Sequence, residues 1–308
     1  MGISTGFAFV TLATVLAAVS PVWAQQPPVP QQPSTQQAPV TLQVHQISPN
    51  IYWVQGGGGN SGVIVGEHGV IVIDTKVRPD LGKQLVDDIA QITPKPITTV
   101  IVTHSHIDHV GGLPSFPNGI TIIAHENAMK ELQAAVAKGG NGAPAPDRLP
   151  NKIVTKDKED LTIDGVKLEL LHRGPGHTTG DMVVYLPSEK LVFTGDLIEG
   201  NRFRPEIEVI NGASEGWIAN VKGIAALNAT QYVTGHAGVL DKEAIEKYLN
   251  DVETERATIV KLVAQGQTLQ QVQSAVGDPP PNAANGYGTR FPAFSEVVYR
   301  ELTGKIAP

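Results

Sequence analysis

The chain changes repeatedly between the alternating pattern of strands and the wider spacing of amphipathic helices. Residues 41–55 (TLQVHQISPNIYWVQ) alternate and predict two strands around a turn at residues 48–50. Residues 63–75 (VIVGEHGVIVIDT) predict a hairpin of two apolar strands. Apolar residues at spacings of four and three predict that one face of a helix over residues 79–93 is buried.

The same patterns continue to the C-terminal end. Further strands are predicted at 97–106, 119–125, 182–186, 190–194 and 230–234, and a hairpin at 161–172. Further helices are predicted up to residue 139 and over 214–227, 241–264, 267–276 and 294–302, with breaks at 141–146 and 277–288. No repeat of fixed period and no obvious linker divides this region. The order therefore predicts one α/β domain with a helical C-terminal extension.

The N-terminal segment differs from the rest. Residues 1–24 carry no charge, and an apolar run over 7–19 precedes the small or medium residues of 22–24. This predicts a signal peptide cleaved near Ala24, although no Lys or Arg precedes the apolar run. An uncleaved anchor is the alternative, but a span needs roughly 18 or more apolar residues. We therefore expect a periplasmic or secreted protein with no stable membrane insertion after cleavage.

A Gln- and Pro-rich linker follows over residues 25–39, so the predicted domain is 40–308. The 308 residues are 41% hydrophobic and 17% charged, which is typical of a globular protein. The net charge of -7 argues against nucleic acid as a partner. The absence of cysteine excludes disulfides, zinc thiolates and thiol nucleophiles. The sequence leaves the oligomeric state open.

Metal-ligand residues are concentrated in TVIVTHSHIDHVGG, residues 99–112. His104 and His106 are two apart, so they point the same way on an extended segment. Asp108 and His109 follow where two glycines permit a tight turn and a helix start. Imidazole nitrogens with a carboxylate oxygen suit zinc. A histidine-rich surface loop is the alternative, but the preceding apolar run places the motif at a strand end, where active-site groups are common.

Three later segments can complete a metal site. His177 lies in GPGHTTGD, Asp196 ends the apolar run LVFTGDLI, and His236 follows a third apolar run in QYVTGHAG. A lone histidine in a loop is more often structural. The shared placement of these three residues after strands nevertheless predicts that they join the first motif.

The motifs THSHIDHVGG, GPGHTTGD, FTGDLI and TGHAG together resemble the metallo-β-lactamase fold superfamily over roughly residues 41–240. The resemblance implies an αββα sandwich with extra C-terminal helices and metals at one edge between two sheets. It implies that Asp74 supports the site without binding metal. It also implies a first site of His104, His106 and His177, a second of Asp108, His109 and His236, and a bridging Asp196.

That ligand set is similar to the glyoxalase II-like and lactonase-like branches. Two zinc ions are expected, with iron or manganese as alternatives. Zinc lowers the pKa of bound water to about 7, so hydroxide is available at neutral pH. Asp108 is placed to orient this hydroxide and to act as the catalytic carboxylate. We therefore expect an exported zinc hydrolase that cleaves an ester, thioester, lactone or amide-like bond of a small-molecule substrate.

Other activities remain open at this stage. β-Lactam hydrolysis agrees with export, but metallo-β-lactamases usually have a Cys- or Ser-type residue in place of Asp196. Some superfamily members carry one iron and oxidise persulfides, but they need only part of this ligand set. A non-catalytic metal-binding protein is a further alternative, but the complete set of catalytic ligands argues against it. The negative net charge and the expected export argue against nucleic-acid processing.

Residues 198–208 (IEGNRFRPEIE) follow Asp196 and are the candidate substrate-binding segment. Arg202 and Arg204 can meet an anionic substrate, and Phe203 can pack on it. The alternative is that the arginines pair with Glu206 or Glu208. Trp53 can flank the cleft, but packing is the favoured role. The remaining histidines, His45, His68, His125 and His172, are expected to be structural or exposed to solvent.

Overall fold

The computed structural model describes residues 1–2, 40–139, 144–278 and 291–304. The predicted signal peptide (1–24) and linker (25–39) lie outside these residues, apart from Met1 and Gly2. Parts of the two predicted breaks, residues 141–143 and 279–288, also lie outside. The domain boundary near residue 40 therefore stays a prediction.

The N-terminal half of the domain forms a mixed sheet of seven strands. In spatial and chain order these are β1 (Gln43–Ser48), β2 (Ile51–Gln55), β3 (Ser61–Val65), β4 (Val70–Ile73), β5 (Ile97–Ile101), β6 (Thr121–His125) and β7 (Lys152–Val154). The first four strands pair antiparallel through short turns. The pairs from β4 to β7 are parallel, so the chain returns along the sheet between successive strands, and α1 (Pro79–Ile92) and α3 (Glu126–Lys138) lie in two of these three connections.

The second half forms a sheet of six strands. These are β8 (Lys158–Ile163), β9 (Val166–Leu171), β10 (Val183–Leu186), β11 (Leu191–Phe193), β12 (Gln231–Val233) and β13 (Val239–Leu240), in sequential spatial order. Only β11 and β12 pair parallel among these strands, and α4 (Ser214–Ala225) connects them. Each sheet thus contains parallel strands that are joined by a helical connection, such as α1 between β4 and β5 and α4 between β11 and β12.

Alternating burial along β4 shows how the sheets are layered. Val70 and Val72 pack with the helices α1 and α3, whereas Ile71 and Ile73 face the second sheet. Phe193 of β11 lies in that inter-sheet core. A strand that is apolar on both faces needs cover on both sides. The molecule is therefore the helix–sheet–sheet–helix sandwich that the resemblance implied.

The outer face of the second sheet is covered by α4 and by three C-terminal helices. These are α5 (Lys242–Ala264), α6 (Leu269–Val276) and α7 (Phe294–Thr303), which confirm the predicted extension. Trp217 of α4 and Tyr232 of β12 are wholly buried in their shared core. Within the described residues, no helix combines the length and apolar character needed to cross a bilayer.

Two short strands, β7 and β13, were not predicted. They contain three and two residues, which is too short to show an alternating pattern. β7 exists because β6 offers it a parallel partner, and β13 because β12 offers an antiparallel one. Pairing between distant segments therefore decides these strands.

A buried lysine fixes the glycine-rich connection between β2 and β3. Lys76 follows β4, and its wholly buried Nζ donates hydrogen bonds to the carbonyls of Val54 (2.6 Å) and Gly59 (3.0 Å). Burial lowers the pKa of Lys76 to about 7, although the carboxylates of Asp74 and Asp88 oppose this shift. The connection carries Gly59 to the edge of the sandwich where β5 ends.

This lysine should make folding stability depend on pH. Because the pKa of Lys76 is lower in the folded state, the unfolded chain binds more protons above about pH 7. The free energy of unfolding should therefore gain a rising contribution from about pH 7 towards the ordinary lysine pKa of 10.5. Urea unfolding across this range should show that Lys76→Met loses the contribution. Lys83→Met, which removes an exposed lysine from α1, should retain it. Equal pH profiles for Lys76→Met and the wild type would contradict this account.

Candidate metal centre

The structure brings all seven predicted ligands to one edge of the sandwich. They are His104, His106, Asp108, His109, His177, Asp196 and His236. The first four follow β5 directly and continue into α2 (Ile107–Val110). Asp196 and His236 follow β11 and β12, and His177 lies between β9 and β10. Both sheets therefore contribute side chains to the same place.

The first cluster consists of His104, His106, His177 and Asp196, all buried, with one potential ligand atom each and all four atoms within 4.8 Å of one another. The Nδ1 atom of His106 lies 2.9 Å from Nε2 of His177. The Nε2 atoms of His104 and His177 lie 3.8 and 3.7 Å from Oδ2 of Asp196. These atoms converge on one small volume.

The second cluster consists of Asp108, His109, His236 and the same Asp196. The Nε2 atom of His109 lies 3.1 Å from Oδ1 of Asp196, and the Nε2 atom of His236 lies 3.0 Å from its Oδ2. The carboxylate of Asp108 lies 3.3 Å from His236 Nε2. One carboxylate thus serves both clusters, which is the bridging position that the resemblance assigned to Asp196.

The polar atoms of these clusters fit a pair of divalent ions. Among the described residues, His104 Nε2, His109 Nε2 and Asp196 Oδ1 are buried without a hydrogen-bond partner. Buried polar atoms without a partner are costly, and a cation would satisfy all three. Imidazole and carboxylate ligands suit zinc, and they also accept iron or manganese.

The charge states of the two carboxylates and of His104 agree with metal binding. Burial raises the pKa of Asp196, but the adjacent His109, His236 and His104 outweigh it and hold the pKa well below its usual value. Burial also raises the pKa of Asp108, yet His109 and His236 lower it to about 2. Burial and the neighbouring histidines lower the pKa of His104. Ionised carboxylates and a neutral imidazole are the forms that bind metals. Burial lowers the pKa of His109, His177 and His236, but the adjacent carboxylates outweigh it and raise the pKa, so an ion would displace protons from these three rings.

Asp74 orients two ligands from the side away from the clusters: His109 directly, and His104 through Thr103. His109 Nδ1 donates a 2.7 Å hydrogen bond to Asp74 Oδ2, which leaves His109 Nε2 for the cluster. Thr103 donates to the same carboxylate from its backbone N–H (2.8 Å) and its hydroxyl (2.7 Å). The Thr103 hydroxyl also lies 3.1 Å from His104 Nδ1. Asp74 therefore holds the position that the resemblance implied, beside the ligands and outside both clusters.

The sequence interpretation missed the groups that orient the other two histidines of the first cluster. His106 Nε2 donates to the carboxylate of Glu208 (2.9 Å), which also accepts from the amide of Asn211. His177 Nδ1 donates to the backbone carbonyl of Glu206 (2.7 Å). The only sequence signal was the acidic pair Glu206 and Glu208 in the segment after Asp196. A backbone carbonyl gives no sequence signal at all.

Two glycines allow neighbouring loops to pack closely against the ligand side chains. A Cβ atom at residue 235 would lie 2.0 Å from Asp196 Oδ1, and one at residue 59 would lie 2.2 Å from His109 Cε1. Asn60 strengthens this contact between loops, because its amide donates to the carbonyls of Thr234 (2.8 Å) and Ala237 (2.6 Å). The glycines at these positions are therefore required by space.

The candidate substrate residues have a different arrangement. Arg202 forms ion pairs with Glu199 and Glu206, both at 2.6 Å. Arg204 pairs with Glu255 (2.7 Å) and Asp278 (2.9 Å). Arg202 thus pairs with Glu206, as the alternative proposed, whereas the partners of Arg204 are neither Glu206 nor Glu208. Binding of an anionic substrate by these arginines stays an untested prediction, and their charges are already matched by carboxylates.

The four remaining histidines lie outside both clusters. His45 stacks on Trp53 with ring centroids 4.3 Å apart, and Trp53 is buried in the inter-sheet core. His125 and His172 are buried and stack on each other at 3.7 Å. His68 is exposed in the turn between β3 and β4. These positions agree with structural or solvent-facing roles.

Removing the charge of Asp74 should weaken metal binding. We expect Asp74→Asn to lower the affinity for the second ion about 10- to 100-fold, the usual cost of losing a hydrogen-bond partner of a ligand. Competition with a chromophoric chelator measures this affinity. Asp164→Asn is the control, because Asp164 accepts backbone hydrogen bonds in the β3–β4 turn region and contacts neither cluster. Unchanged affinity in Asp74→Asn would show that Asp74 does not orient His109.

Known proteins resemble both the sequence and the fold. A model of the metallo-beta-lactamase superfamily matches residues 54–236, which is more than half of the chain. The 2,4-dinitroanisole O-demethylase subunit alpha of Nocardioides sp. (strain JS1661) is 29% identical over 59% of this chain and 54% of its own length. The chain therefore spans little more than half of that relative. Metallo-beta-lactamase type 2 of Bacillus cereus is 26% identical over 66% of this chain and 79% of its own length.

Two solved structures share the architecture at low sequence identity. The sec-alkylsulfatase Pisa1 from Pseudomonas sp. aligns with a TM-score of 0.66 and 20% identity, covering 85% of this chain and 50% of its own. A metallo-beta-lactamase from Pontibacter korlensis aligns with a TM-score of 0.58 and 21% identity, covering 69% of this chain and 99% of its own. At these identities the structures establish the fold alone.

Proposed function

Since the chain belongs to the metallo-beta-lactamase superfamily, we propose that it is a metal-dependent hydrolase, and more precisely an exported zinc enzyme. Its substrate is a small molecule with an ester, thioester, lactone or amide-like bond. The single observation that carries this proposal is the pair of complete ligand clusters joined by Asp196. Such a pair suits two-metal hydrolysis. Export rests on the sequence of residues 1–24 alone.

Two bound ions would supply Lewis acidity and make water more acidic. The chain itself determines where the substrate enters, because the ligands differ in exposure. The side chains of Asp108 and His236 are 27% and 24% exposed, whereas the other five ligands are almost completely buried. Substrate therefore approaches from the side of Asp108 and His236. Asp108 is ionised at neutral pH, so its carboxylate can accept a hydrogen bond from the attacking water and orient it.

The relatives do not determine the substrate. They include a thioesterase, an O-demethylase, alkylsulfatases and β-lactamases, whose names refer to different bonds. β-Lactam hydrolysis is the second candidate, because the Bacillus cereus enzyme is matched over 79% of its length. Persulfide oxidation with one iron is less favoured, because both ligand clusters are complete here.

Phe203 gives the best indication of substrate chemistry. The residue is 95% exposed, and its two neighbours in the chain, Arg202 and Arg204, are both held in ion pairs. It is three residues from Glu206, whose carbonyl contacts His177, so the Cα atoms of Phe203 and Glu206 lie within about 11 Å of each other. An exposed phenyl ring near the site can cover an apolar part of a substrate. We therefore propose that the substrate carries an apolar substituent.

The metal content and the hydrolytic activity test the main proposal together. Protein purified without added metal should contain about two zinc ions per chain, as two-metal sites do. His106→Ala should lower kcat/KM on the best substrate among esters, thioesters, lactones and β-lactams by at least about 100-fold. His68→Ala, at an exposed turn, should retain full activity. Unaltered hydrolysis in His106→Ala, or one iron per chain with oxygen consumption, would reject the proposal.

Chain-length selectivity tests the role of Phe203. Covering an alkyl chain gains about 0.8 kcal/mol for each buried CH2 group, so a phenyl contact can favour long chains about tenfold. We expect Phe203→Ala to lower kcat/KM for octanoyl esters about tenfold and to leave acetyl esters almost unchanged. Ile153→Ala, which changes another exposed apolar residue on strand β7, should change neither. Equal losses for both ester lengths would contradict apolar contact.

A further inference from the structure

Arg202 connects two parts of the chain that each hold a histidine of the metal centre. Its Nε lies 2.6 Å from Oε2 of Glu199, and its Nη1 lies 2.6 Å from Oε1 of Glu206. These glutamates are the two ends of residues 199–206, which we call the bridging segment. The segment starts three residues after Asp196. The guanidinium thus closes the bridging segment into a loop.

The first end of the bridging segment supports His236. The backbone N–H of His236 donates to the carbonyl of Glu199 (2.9 Å). The preceding N–H, of Gly235, donates to the carbonyl of Ile198 (2.9 Å). The second cluster therefore depends on the backbone position of residues 198 and 199.

The second end supports His177. The ring Nδ1 of His177 donates to the carbonyl of Glu206 (2.7 Å), which directs Nε2 towards the first cluster. Two residues later, the N–H of Glu208 donates to the carbonyl of His177 (3.0 Å). The first cluster therefore depends on the backbone position of residues 206–208.

The charges explain why an arginine is needed between these ends. The side chains of Glu199 and Glu206 are only 6% and 15% exposed, so water solvates their carboxyl groups poorly. A forked guanidinium can pair with both carboxyl groups at once, whereas an uncharged side chain leaves two poorly solvated acidic groups without a cation. Removing one partner of a buried ion pair is strongly destabilising for that reason. Without Arg202, we expect the ends to move apart.

We infer that Arg202 is a positioning residue that sets the metal affinity of both clusters by holding the carbonyl groups of Glu199 and Glu206 against His236 and His177. In this role it contacts the centre through these neighbours and does not itself touch a metal. The inference rests on the proposed two-metal site.

Arg204 provides a matched control on the same segment. It also pairs with two carboxylates, and its side chain is 33% exposed compared with 34% for Arg202. Its partners are Glu255 of α5 and Asp278 after α6, and neither residue supports a ligand. A general loss of stability from removing a paired arginine should therefore affect both variants, whereas loss of metal affinity should be specific to Arg202.

The experiment compares Arg202→Met with Arg204→Met in the full protein. Zinc affinity is measured by competition with a chromophoric chelator, and cobalt binding by its visible absorption. We expect Arg202→Met to bind both ions about 10- to 100-fold more weakly, as for the loss of other groups that orient ligands. Arg204→Met should match the wild type. Thermal unfolding of the metal-free proteins separates folding from metal binding.

A double variant tests the charge argument and keeps the ligand contacts intact. Glu206 contacts His177 through its backbone, so Glu206→Gln preserves that hydrogen bond. Arg202→Met combined with Glu206→Gln should bind zinc more tightly than Arg202→Met alone, because one acidic group without a cation is removed. Wild-type affinity in Arg202→Met, or equal losses in both arginine variants, would overturn the inference and leave the hydrolase proposal standing. A wild-type protein that binds no divalent ion would overturn both.

Discussion

A carboxylate that is both buried and ionised, Asp196, is the constraint on which the metal centre depends. Its residue is 7% exposed, and an isolated charge at such a place is costly unless opposite charge or hydrogen-bond donors surround it. His104, His109, His177 and His236 surround it here, and they come from the ends of strands in both sheets. The sandwich must therefore align β5 with β11 and β12 closely enough for these side chains to meet.

The orientation of three of the five imidazoles is set by a carboxylate or carbonyl group on the side of the ring away from the clusters. His109 uses Asp74, His106 uses Glu208, and His177 uses the carbonyl of Glu206. The choice of partner decides which ring nitrogen faces the cluster. His106 presents Nδ1 because Glu208 holds its Nε2, whereas His109 and His177 present Nε2. His104 and His106 are two residues apart, and they present different ring nitrogens to the same cluster: Nε2 from His104 and Nδ1 from His106.

Much of this centre could be predicted from the sequence, because ligand types and strand ends are local signals. His104, His106, Asp108 and His109 lie in one motif, and the apolar runs before Asp196 and His236 indicate their strands. Glu208 and the role of Arg202 were not predicted, because they depend on which loops meet in space. The strands β7 and β13 were missed for the same reason, since their partners rather than their own patterns create them.

The origin of the ligands in two sheets has a consequence for the fold as a whole. An ion held by His106 from the first sheet and Asp196 from the second connects the two layers, so its binding energy becomes folding energy. At a free metal concentration 100 times the dissociation constant, such linkage adds about 2.7 kcal/mol. In a chain without cysteine, the ions would thus act as the cross-link that disulfides provide elsewhere. Metal starvation would then expose the chain to proteolysis as well as stop its chemistry.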